Sequence, residues 1–141
     1  MYLNCHTYYS LRYGTLSPEQ LVQAAKRYGI TALALTDVNN TSAAGEFVRR
    51  CREAGIKPLL GIDFFKNGQR LYTGIARNAG GFYELNKYLS EHSIDGKPLP
   101  EVFDPSFITH HSSFIIIYPK LLKPISQFKD HEYLGIRPEH P

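Results

Sequence analysis

The chain has 141 residues, 43% of them hydrophobic, with 16 Lys and Arg against 13 Asp and Glu for a formal charge of +3. Ten Tyr and eight Phe bury enough apolar surface to exclude a disordered chain, while +3 is too weak a charge to argue nucleic-acid binding by itself. The longest purely apolar run, Phe114–Tyr118, falls far short of the about 18 residues a membrane-spanning helix needs.

The N-terminus, Met1-Tyr2-Leu3-Asn4-Cys5-His6, has neither a basic start nor a continuous apolar stretch, so no secretory signal is visible. A cytoplasmic protein with reduced Cys5 and Cys51 is expected. Tyr2–Cys5 reads as a short first strand, followed by the polar run His6–Ser10. Ser17-Pro18-Glu19-Gln20 then opens a helix, with Ser17 as N-cap and Gln20 completing a capping box. Leu21, Val22, Ala24, Ala25 and Tyr28 recur at helical spacing, and Gly29 supplies the stop.

Ile30–Leu35 is an apolar run of the length and bounds of a buried parallel strand. A second helix, about Ser42–Ala54, carries Ala43, Phe47, Val48, Cys51 and Ala54 on one face. Its Arg49, Arg50 and Arg52, with Lys57, read as a solvated face with cations near the helix C-terminus. Pro58–Phe65 is a third strand, and Lys66-Asn67-Gly68-Gln69 is a hairpin signal returning the chain through Arg70–Ala76. A third helix follows the Gly80-Gly81 break through Phe82, Leu85, Tyr88 and Leu89. Turn residues dominate from Asp95 to Pro105, before strands at Phe114–Tyr118 and Tyr133–Ile136. This order predicts an α/β fold with mostly parallel strands and one β-hairpin.

Three polar groups stand at or near predicted strand ends: Asn4-Cys5-His6-Thr7, Thr36–Asn40, and Asp63 within the third strand. Active-site groups of parallel α/β folds collect at the C-terminal strand ends. His6, Asp37 and Asp63 converging there would be one imidazole and two carboxylates, a donor set for a divalent metal that activates water. Taken singly, each has an ordinary structural reading as a polar loop residue, a turn cap or a hairpin surface residue. No phosphate loop, nucleophile elbow or HExxH motif is present, and Cys5 and Cys51 read as small buried residues. The tyrosines near the N-terminus lack an interleaved basic stripe and read as loop packing.

Leu3–Leu11, Ser17–Leu21, Ala32–Asp37 and Ala54–Gly61, in this order and spacing, closely resemble the N-terminal PHP (polymerase and histidinol phosphatase) domain of bacterial replicative DNA polymerase III alpha subunits. Ile75–Asn78, Gly81, Phe82 and Leu85 extend the resemblance, which covers about residues 2–90. It implies a distorted β/α barrel, here a partial one, with metal ligands at the strand ends. Where that family has His-x-His, this chain has Asn4-Cys5-His6; where it has Asp-His, Asp37-Val38. The acidic ligand of the third strand, usually Glu, stands as Asp63, and a further His is expected at about Leu71. What remains, His6, Asp37 and Asp63, reads as a vestigial metal site that holds no ion, with no catalytic residue.

The resemblance further implies that the domain is a scaffold within a DNA-directed DNA polymerase whose separate palm domain uses Mg²⁺. It implies contacts with other domains of the same chain and with a proofreading exonuclease subunit, and contact with DNA through the parent protein. The alternative is an active metal-dependent phosphoesterase or 3′–5′ exonuclease using zinc or manganese. Because a β/α barrel takes about 250 residues, residues 1–141 are expected to be one PHP-like domain cut from a longer chain. Apolar surface left uncovered near the C-terminal strands is expected to follow.

Overall fold

The computed structural model describes residues 1–94, 96–107 and 113–136. Its first half alternates strand and helix: β1 (Tyr2–Cys5), α1 (Pro18–Arg27), β2 (Ala32–Leu35), α2 (Ala44–Glu53) and β3 (Lys57–Lys66). The second half holds β4 (Gln69–Ala76), α3 (Ala79–Ile94), β5 (Phe114–Tyr118) and β6 (Glu132–Leu134). The six strands form one sheet in sequence order. β1, β2 and β3 are mutually parallel, β4 lies antiparallel between β3 and β5, and β6 runs parallel to β5. The expected α/β fold with one hairpin is the observed one.

Local chemistry explains most boundaries. Ser17 Oγ accepts the Gln20 N–H at 3.1 Å and Gln20 Oε1 accepts the Ser17 N–H at 2.9 Å, so the capping box forms. The hairpin turn has Asn67 and Gly68 both in the left-handed region, φ +52° and +75°, as a two-residue turn matching strand twist requires. β2 starts two residues later than its apolar run. Gly29 turns left-handed, and the Ile30 N–H stays bound to the Ala25 carbonyl at 2.9 Å, so it belongs to the end of α1.

α2 starts later than expected as well, because Asn40 Oδ1 takes the Ser42 N–H at 2.7 Å and keeps that stretch in a turn. α3, by contrast, starts before the glycine pair. Asn78 Oδ1 accepts the Gly81 N–H, and a Cβ on Gly81 would sit 1.9 Å from the Ser113 carbonyl oxygen. The glycine therefore permits close packing of helix on strand. β6 is Glu132–Leu134 instead of Tyr133–Ile136. Glu132 is anchored inward by the Tyr118 hydroxyl at 2.9 Å and by Lys123 Nζ at 2.6 Å.

Two apolar clusters cover the outer face of the sheet. Val22, Ala25, Leu33, Leu35, Phe47, Cys51 and Ile56 form one beneath α1 and α2. Ile62, Phe64, Tyr72, Leu85, Tyr88, Phe103 and Phe114 anchor the other beneath α3 and the 98–106 segment. There the hydroxyls of Tyr72 and Tyr88 are 2.8 Å apart, and Tyr118 accepts the Phe103 N–H. Burial pushes all three phenols above their ordinary pKa, so they stay neutral donors. Arg50 of α2 reaches Glu19 of α1 at 3.5 Å and Glu46 of its own helix at 3.8 Å, so one member of the basic helix face is paired.

The opposite, concave face is less covered. The sheet coils until residues of β1 and those just past β6 line one cleft of about 630 Å³, with Arg70 and Thr73 of β4 and Ile117 of β5. Tyr133 and Ile136 are exposed there, in keeping with the apolar surface expected near the C-terminal strands. Among the described residues no helix is long and apolar enough to cross a membrane.

Candidate functional site

Asp63 lies in the middle of β3 on the concave face and has no solvent-exposed surface. Its alternation partners Ile62 and Phe64 point into the outer core, so strand periodicity alone directs the carboxylate inward. Four side chains from two other strands and one loop meet it. Asn4 Nδ2 donates to Oδ2 at 2.7 Å, His6 Nε2 lies 2.5 Å from the same oxygen, and Arg70 Nη2 lies 3.1 Å away. The Thr73 hydroxyl donates to Oδ1. Asn4 also donates to Thr36 Oγ1 at 3.0 Å, and its own Oδ1 accepts from Arg70 at 2.9 Å.

Asp37, just past β2, is as deeply buried but serves a different purpose. Its Oδ1 accepts the Thr7 N–H at 2.6 Å and the Ser10 hydroxyl at 2.7 Å, and its Oδ2 accepts the Thr7 hydroxyl at 2.7 Å. Ser10 in turn accepts the Val38 N–H at 2.8 Å. These bonds tie the loop after β1 to the end of β2. The loop folds tightly on itself: a Cβ on Gly14 would sit 2.1 Å from the Thr7 carbonyl oxygen. Arg12 takes the left-handed conformation, φ +73°, to complete the turn.

The structure thus brings His6 and Asp63 together and directs the Asp37 carboxylate into the neighbouring loop. Among the described residues no three His, Cys, Asp or Glu side chains are grouped to hold a metal ion. The Val38 backbone pairs with Asp63 in an isolated parallel bridge. His92 Nδ1 bonds to the Tyr88 carbonyl at 2.8 Å, and the His131 ring packs edge-on against Phe114. His110, His111 and His140 lie outside the described residues. Cys51 is buried and Cys5 half-buried. Burial lifts both thiols to about 11, which leaves them protonated and unreactive at neutral pH.

Sequence reasoning missed Arg70, Thr73 and Ser10. Arg70 had a signal, since the Asn67-Gly68 turn pairs Lys66 with Gln69 and Phe65 with Arg70, which sets Arg70 on the face that Phe65 shares with Asp63. Thr73 had none. The pairing slips between Phe64↔Tyr72 and Phe65↔Arg70, leaving Leu71 as an extra residue. This β-bulge turns Thr73, in place of Tyr72, onto the face of Asp63 and Arg70, as bulges beside functional sites do. Leu71, where the family resemblance anticipates a histidine, packs against the outer core instead.

The PHP domain family model matches residues 3–133. The chain belongs to the PHP domain family. It is 33% identical over 98 residues to the error-prone DNA polymerase of Symbiobacterium thermophilum, an alignment covering 70% of this chain and 9% of that protein. It is 31% identical over 130 residues to the DNA polymerase III subunit alpha of Treponema pallidum, covering 82% of this chain and 11% of that protein. The chain therefore spans about a tenth of the length of these curated relatives. Among solved structures, an amidohydrolase from Chromobacterium violaceum aligns at 22% identity with a TM-score of 0.49, covering 66% of this chain and 34% of that one.

Proposed function

We propose that this PHP domain is the N-terminal scaffold of a DNA polymerase III alpha-type subunit and that its strand-end site no longer works as a metal centre. One observation carries the reading. The Asp63 carboxylate is already filled by protein donors, among them a guanidinium. A carboxylate offers about four lone-pair positions, and a metal would have to displace donors from them. The rest of the set does not fit an ion. Asn4, Val38 and Leu71 stand where the family resemblance calls for histidines. Asp37 gives both oxygens to Thr7 and Ser10. His6 and Asp63 alone are too few for a tight site.

Under this reading DNA synthesis belongs to a separate part of the parent chain, and these residues supply rigid packing for its other domains and a proofreading subunit. The polymerase relatives, of which the chain spans about a tenth, support that division of labour. Elemental analysis of protein purified without chelators tests the site: less than a tenth of an equivalent of zinc or manganese is expected, on the order expected of adventitious binding. One equivalent, lost in Asp63→Asn, would establish the phosphoesterase or exonuclease alternative instead. For the scaffold role, primer extension by the full-length chain is expected to survive His6→Ala, and co-purification with the proofreading subunit to need a folded domain.

A further inference from the structure

Resting on that reading, we infer that Arg70 is a built-in cation standing in for a metal ion at Asp63: it neutralises the buried carboxylate and closes the position a divalent cation would take. A carboxylate removed from water must be paired with positive charge or fully hydrogen-bonded. Asp63, with no exposed surface, has both. Thr73 and Asn4 supply neutral donors, and neither brings charge. Arg70 alone among its contacts is charged at every pH a protein survives.

Its geometry is that of a seated ion more than of a surface side chain. The guanidinium is mostly shielded, with its side chain 20% exposed against none for Asp63. It bonds two residues of the site, Asp63 Oδ2 at 3.1 Å and Asn4 Oδ1 at 2.9 Å. Holding the Asn4 oxygen turns the Asn4 amide nitrogen toward Asp63 and Thr36. Arg70, Asn4 and Asp63 therefore bond one another pairwise in a closed triangle, with Arg70 as its cation. The Phe65 ring lies beneath the guanidinium at 5.6 Å and adds a weak cation–π contact. The turn-proximal pairing of Phe65 with Arg70 sets Arg70 on the face of Asp63, and the bulge at Leu71 brings Thr73 onto that same face.

The test combines stability with zinc binding in Arg70→Met, Arg70→Lys, Asp63→Asn and the Arg70→Met/Asp63→Asn double variant. Arg70→Met leaves the buried carboxylate without its cation, and the folding equilibrium constant is expected to fall about 100-fold or more. Added ZnCl₂ then raises its melting temperature in a concentration-dependent way, with affinity about 10-fold or more above wild type. Arg70→Lys keeps the charge, remains folded and gives no zinc response. In the double variant the zinc response is lost. The cost of Asp63→Asn there is expected to be about 10-fold smaller than in wild type, the signature of direct coupling.

Unchanged stability in Arg70→Met, or equal zinc uptake by Arg70→Lys and Arg70→Met, would overturn the role of Arg70 while leaving the site inactive as a metal centre. Should Arg70→Met fail to fold, recovery of folding in the Arg70→Met/Asp63→Asn double variant supports the role of Arg70, and a double variant that also fails to fold overturns it. Stoichiometric zinc in the wild type, lost in Asp63→Asn, would instead overturn the reading of the site itself.

Discussion

Two buried carboxylates, Asp63 in β3 and Asp37 just past the neighbouring β2, receive opposite treatment. Asp37 is held by one backbone N–H and two hydroxyls, all from a single loop. Asp63 is held by side chains from β1, the following loop and β4, including the guanidinium of Arg70. The first is a local clasp, fastening the loop after β1 to the strand beside it. The second is a long-range junction, made only after the hairpin has paired and β1 has docked through β2. Burial alone therefore does not mark a functional carboxylate: where its partners come from decides whether it organises a loop or a whole sheet.

The largest effect expected from breaking this contrast is at the junction. Asp63→Ala leaves Arg70 charged without its partner and strips an acceptor from Asn4, His6 and Thr73. A loss of about 3–5 kcal/mol is expected, measured as a lowered urea midpoint across the whole chain. Asp37→Asn is milder because no cation is stranded, although its amide meets donors on both sides. About 2–3 kcal/mol is expected, with hydrogen exchange accelerated first in residues 7–14. An equal and global effect of the two substitutions would erase the distinction.

Glu132 sharpens the comparison as a third buried carboxylate, paired to a cation away from the concave face. Burial works to raise its pKa, but hydrogen bonds from Lys123, the Lys129 N–H and Tyr118 outweigh it, and the net shift is downward. The sign follows from linkage. A carboxylate lowered in the folded state stabilises the protein fully above its unfolded value, about 4.3, and loses that contribution as pH falls through the folded value. Melting temperatures read across that acid range should drop less steeply in Glu132→Gln, which starts lower at neutral pH. The smallest effect is expected from Ser10→Ala, which removes one of three donors to Asp37. About 1 kcal/mol is expected by urea denaturation, with zinc response unchanged.

Much of this was legible in the sequence because its signals are local. The Ser17 capping box, the Asn67-Gly68 turn and the alternation of β3 fixed α1, the hairpin and the inward direction of Asp63. His6 was legible too, standing just past a strand that runs parallel to β2. The fate of Asp37 was not, since its donors Thr7 and Ser10 sit about 30 residues earlier in a loop whose fold no spacing rule describes. Thr73 stayed hidden for a sharper reason. One slipped residue in an antiparallel pair reverses which face every later side chain occupies.

By itself, then, the sequence determined the order and kind of the elements, the hairpin and the strand ends where polar residues gather. Short-range hydrogen bonding and hydrophobic periodicity suffice for these, since they act within a turn of helix or a few residues of strand. Only the tertiary structure decided that Asp37 fastens a loop and that Asp63 meets a guanidinium. Those outcomes depend on contacts between residues up to 66 positions apart, as in the bond from Arg70 to Asn4. Partners that distant acquire meaning only when the sheet has coiled enough to bring β1 and β4 to the same buried charge.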